Sequence, residues 1–214
     1  MFWLLLARSN GLIGLEWRDS RPKQADIDEC MDGAIKSKVI HLLDCHPDGG
    51  TNPRPAQHHY FTDCGIARRL LDFWVDRERN RRVVDKQGAA IDARLDKIVR
   101  QVLARNFEGL VVTALRPIVK PNGRLWVWRR DDDEIDVLIE WRENTFTAVE
   151  ITTGALGKKP KEGFSTGCKH FGIPLAGRYV VSSQLTESSR IRAKSGVTAV
   201  SLDLLLEDVR DRAR

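Results

Sequence analysis

Several site-building residues and motifs are scarce in this chain. Its cysteines are Cys30, Cys45, Cys64 and Cys168, and no Cys-x-x-Cys pair occurs. That excludes a disulfide scaffold and the common structural zinc patterns. Cys45-His46, His58-His59 and Cys64 have no metal-ligand spacing and read as small buried thiols and loop histidines. No Gly-x-x-x-x-Gly-Lys-Ser/Thr is present, so the chain has no phosphate cradle of that type for ATP. The apolar start Met1–Ala7 is too short to span a bilayer, and it lacks the basic region of a signal peptide. A cytoplasmic location with reduced cysteines and no membrane partner is expected. Internal repeats and low-complexity tracts are absent too, which excludes a solenoid.

What is present is ordinary for a globular protein, with 42% hydrophobic and 30% charged residues. The 214 residues suffice for one full domain and a smaller appendage. A net charge of +5 permits nucleic-acid binding without establishing it.

Hydrophobic spacing predicts an amphipathic helix within 24–43, carried by Ile27, Met31, Ala34, Ile35, Val39 and Leu43. A Pro- and Gly-rich loop is expected over 44–59, then a short helix over 64–74 with Ile66, Leu70, Leu71 and Trp74 inward. Residues 76–82 read as a charged connector; Arg68, Arg69, Arg77, Arg79, Arg81 and Arg82 suit a DNA backbone or, as the favoured reading, a solvated linker. A strong helix is predicted over 90–107, with Ile91, Leu95, Ile98, Val99, Val102 and Leu103 as its stripe. Strands follow at 110–120, 124–130, 134–141 and 145–152. Trp126 and Trp128 alternate on the second of these and suit base stacking or core packing. Beyond Gly157 comes a lysine-rich, partly helical stretch. A strand at 179–182, a helical turn at 188–194, a strand at 197–202 and a helix at 202–212 complete the reading.

The most informative stretch is Glu134-Ile135-Asp136-Val137-Leu138-Ile139-Glu140, followed by Thr147-Ala148-Val149-Glu150-Ile151-Thr152. It reads as two strands joined at Arg142-Glu143-Asn144. An acid wrapped in apolar residues is costly to bury unless something positive meets it. Two such acids on adjacent strands make a candidate site for a hard divalent cation.

An acid on the first helix, Asp96, followed by Asp136 and Glu150 on the strands, resembles the PD-(D/E)XK nuclease superfamily. The resemblance implies that Asp96 takes the helix position, Asp136 the strand Asp, Glu150 the Glu, and Thr152 the place where the family has lysine. Upstream, Tyr60-Phe61-Thr62-Asp63-Cys64-Gly65-Ile66 and Leu70-Leu71 look like a segment of certain prokaryotic AAA-type ATPases. There it follows a winged-helix region and precedes a nuclease-like C-terminal domain. Leu95-Asp96-Lys97-Ile98-Val99, Glu134-Ile135-Asp136 and Val149-Glu150-Ile151-Thr152 look like successive pieces of that domain. The resemblance covers the last two-thirds of the chain. It implies an α/β fold of restriction-endonuclease type, with a mixed, largely antiparallel sheet in αβββαβ order flanked by helices. Residues 1–84 would form a helical region and linker in the winged-helix position, and 85–214 the nuclease-like domain.

The function implied is that of a DNA-associated domain with Mg2+ or Mn2+ held by Asp136 and Glu150. Thr152 cannot supply the lysine's charge, and Lys158, Lys159, Lys161 or Lys169 would have to reach in from the next element. The competing expectation is a catalytically silent domain, its acids paired with Arg116, Arg129 or a lysine, that binds protein or DNA for an ATPase or a second subunit.

Overall fold

The computed structural model describes residues 24–49, 58–85, 89–154, 162–185, 189–192 and 197–214. Lys158, Lys159 and Lys161 fall outside them, as do the side chains of Ile27, Leu70, Trp74, Ile91, Leu95 and Ile98 and of the arginines at 77, 79, 81 and 82. Among the described residues, no helix is long and apolar enough to cross a membrane.

The chain divides into two compact units. The first contains the described residues as far as Leu42 together with His59–Gly109. The helix α1 (Gln24–Lys36) precedes strand β1 (Ile40–Leu43), which pairs with β2 (His58–Phe61). Helix α2 (Cys64–Asp85) and the first two-thirds of α3 (Ala89–Val119) complete it. Met31, Ala34, Ile40, Phe61, Ala67, Leu71 and Val102 form its core. The connector expected at 76–82 is instead the second half of α2. No Gly or Pro interrupts the chain from Ile66 to Gln87. Acids there precede arginines by three or four residues, a spacing that supports a helix.

Helix α3 runs through the strand expected at 110–120 and ends at Val119. Val111, Val112, Leu115 and Val119 are fully buried, a spacing of three and four that belongs to a helix. Gly109 lies within this helix, where a Cβ would come 3.3 Å from Tyr60 Cδ1, so glycine allows helix and ring to pack closely.

The second unit spans Leu43–His58 and Leu110–Arg214. It holds a six-stranded mixed sheet flanked by helices, in the order β3-β4-β5-β6-β8-β7. Strands β3 (Gly123–Arg130), β4 (Asp133–Trp141) and β5 (Phe146–Thr152) form an antiparallel meander. Strand β6 (Arg178–Ser182) lies parallel to β5, and β8 (Thr198–Val200) parallel to β6. The turn expected at 188–194 is instead the edge strand β7 (Arg190–Arg192), antiparallel to β8.

Helix α4 (Glu162–His170) turns Phe164, Gly167 and Cys168 inward, one stripe at three- and four-residue spacing. Phe164 and Cys168 join Trp128, Ile135, Leu138, Ala148, Ile173 and Val197 in one core cluster of the sheet. Gly167 permits the approach, since a Cβ would meet Trp128 Cζ3 at 2.7 Å and Ile135 at 2.8 Å. Helix α5 (Leu202–Arg212) begins at Ser201, whose hydroxyl accepts from Leu204 N.

Candidate functional site

Strand β4 carries one residue more than β3. Trp126 faces Leu138 while Trp128 faces Ile135, so Asp136 and Val137 stand opposite Val127 alone. Such a bulge re-aims side chains and is common beside functional sites. Asp136, 8% exposed, uses it to reach sideways, where its Oδ2 accepts from Ile151 N at 2.7 Å. The β4–β5 ladder pairs Val137 with Val149, so Asp136 and Glu150 come next in line on adjacent strands. The Asp136 carboxylate is thereby fastened to the amide that follows Glu150.

Glu150 is 4% exposed and lies against Val180 of β6. It shares a face of β5 with Ala148, which packs beneath α4. Its charge acts on the buried Cys168 thiol. Burial first, then Glu150, push that thiol up to about 11, while Arg178 opposes them. Sequence reasoning missed Arg178, a cation that pairs in register with Ala148 and donates to Ile173 O at 2.8 and 2.5 Å. Its only sequence signal was a basic residue opening a buried strand.

Thr152 shares the Glu150 side of β5 by alternation, and its hydroxyl accepts from Gly154 N at 3.1 Å. Lys169 is exposed. Asp96 is exposed on α3 within the first unit, and Arg100 Nε donates to its backbone carbonyl. Arg129 is bound by Glu134 at 2.8 Å. Trp128 is core, whereas the half-buried Trp126 donates to Glu140 at 2.8 Å. Among the described residues, no group of three or more His, Cys, Asp or Glu is placed to hold a metal ion.

A second constellation could not be read from spacing. Cys45 bridges to Val127 on the outer edge of β3, with His46 N donating to Val127 O and Val127 N donating to Asp44 O. The His46 ring thereby meets Trp126, Phe146 and Phe171 edge-on at 5.5, 6.0 and 5.0 Å. Burial among these rings lowers its pKa, Asp48 and Glu140 oppose the shift, and His170 adds to it.

Comparison with protein-family models, curated proteins and solved structures finds no match.

Proposed function

We propose that the second unit is a DNA-associated, nuclease-like domain of restriction-endonuclease type, in which Asp136 and Glu150 hold a divalent cation. The observation that carries this reading is the bulge in β4, which fastens the Asp136 carboxylate to the peptide after Glu150. The succession α3, β3, β4, β5, α4, β6 supports it as well, being the order that the superfamily resemblance implies.

Mg2+ typically binds through one or two carboxylates and completes its shell with water and substrate phosphate. Two acids on neighbouring strands fit that mode, and a closed protein cage would not be required. A bound cation would polarise a phosphate and lower the pKa of an attacking water. The chain's own contribution is positional. The Ile151 amide orients Asp136, and the sheet holds Glu150 in register with Val180.

Thr152 favours a second reading, a silent domain that binds DNA or protein for an ATPase partner. Its hydroxyl is turned to Gly154 N and brings no positive charge to a transition state. A plasmid-nicking assay in Mg2+ or Mn2+ separates the two. The nuclease reading expects cleavage that falls about 100-fold or more in Asp136→Asn and Glu150→Gln and rises in Thr152→Lys. Cleavage that survives both acid substitutions would refute it. DNA or partner binding without cleavage, in wild type and Thr152→Lys alike, would favour the silent domain.

A further inference from the structure

We infer that the end of the sheet remote from Asp136 and Glu150 is a docking face for the phosphate backbone of a nucleic acid. Separate elements deliver exposed cations there. Arg116 and Lys120 come from the end of α3, Arg124 from the start of β3, Arg142 from the β4–β5 turn and Arg210 from the last turn of α5. Backbone contacts draw these ends together. Arg142 N donates to Asn122 O at 3.0 Å, Gly123 pairs with Trp141, and the Asn122 side-chain Nδ2 donates to the Ala213 carbonyl. The acids of that end are Glu140, which faces Arg124 across β3–β4 and accepts from Trp126, and Glu143 and Asp211, the last 3.6 Å from Arg214. Lys120, Arg124 and Arg142 make no ion pair among the described residues.

Cations at a helix C-terminus also complement the helix dipole, which accounts for Arg116, Lys120 and Arg210. Arg124 and Arg142 are on no helix, so that explanation does not reach them. The predominance of arginine suits phosphate, whose oxygens match the guanidinium fork. A membrane surface fits less well, because interfacial binding needs apolar anchors as well as charge. The exposed large hydrophobics among the described residues are Ile66, Phe73, Leu110, Leu175 and Ile191, and none lies on these turns.

Asp136 and Trp141 are five residues apart on β4, so about 16 Å separates this face from the carboxylates. Contact here needs neither acid. The choice of nucleic acid as partner rests on the DNA-associated reading above, and the position of the contact is new.

The test is fluorescence anisotropy of a short labelled DNA duplex with the full chain, in EDTA, over a range of salt. One variant is Lys120→Ala/Arg124→Ala/Arg142→Ala. Its charge-matched control is Lys36→Ala/Arg69→Ala/Lys97→Ala, exposed cations of the first unit. The first triple variant should lower the slope of log affinity against log salt by about 2–3, at about 0.9 for each phosphate no longer neutralised. The control triple should keep the wild-type slope. An equal loss in the control would reduce the effect to net charge and overturn this face. Wild-type binding that the first triple leaves intact would remove this face and spare the DNA-associated reading. Absence of duplex binding, including the case where anionic vesicles bind instead, would overturn both.

Discussion

Asp136 is the residue on which local structure and proposed chemistry meet. Its carboxylate accepts a strand amide, and it is nearly buried. In Asp136→Ala the Ile151 N–H loses that acceptor, which costs about 1–3 kcal/mol. Asp136→Asn keeps an acceptor oxygen and should cost less, so urea denaturation of the pair separates structure from charge. Gly167 is the packing counterpart. A Cβ there would sit 2.7 Å from Trp128 and 2.8 Å from Ile135, so Gly167→Ala should destabilise the unit by about 1–3 kcal/mol, again by urea titration. Cys168 is fully buried, with its thiol raised to about 11. Iodoacetamide at neutral pH should leave it unmodified in the native protein and alkylate it in urea, as mass spectrometry of Cys168-containing peptides would show.

Among the elements, the strap Asp44–Gly49 on the edge of β3 has a pH dependence of definite sign. Folding lowers the His46 pKa below its unfolded value near 6.5. The neutral ring is therefore favoured in the fold. Its stabilising contribution is complete above about 6.5 and is lost as pH falls through the lower folded value. His46→Phe keeps an aromatic ring and removes the titration. Between about pH 7 and pH 5, wild type should lose more of its urea midpoint than the variant. Equal losses would show that His46 contributes nothing to the pH dependence.

This strap was invisible in the sequence because it depends on rings from β3, β5 and the chain after α4. The β3–β4–β5 meander was legible to within two residues. Pro121-Asn122-Gly123 marks its start and Arg142-Glu143-Asn144 its second turn, where Asn144 takes the positive φ that such a turn needs. The end of α3 was not legible, because Leu110–Val119 is apolar enough to satisfy either period and only burial decides between them. Nor was β7, whose three residues are held by pairing with β8 and by Arg190 bound to Asp208. The candidate acids were chosen as polar residues in apolar strands. Sequence placed them on adjacent strands, and the bulge that links Asp136 to the Glu150–Ile151 peptide came only with the register.

Over the whole molecule, the two candidate acids and the cations of the inferred docking face lie at opposite ends of the β4–β5 pair. Asp136 and Glu150 are buried near one end of the β4–β5 pair, and exposed arginines gather at the other. A nuclease-like reading requires the buried pair to attract a divalent cation whether or not Thr152 permits turnover. Calorimetric titration of Mn2+ into the full chain tests that requirement without a substrate. Wild type should bind one Mn2+ per chain, and Asp136→Asn and Glu150→Gln should each abolish the heat while keeping the circular-dichroism spectrum. A wild-type protein that gives no binding heat, or two variants that bind Mn2+ as wild type does, would contradict the account.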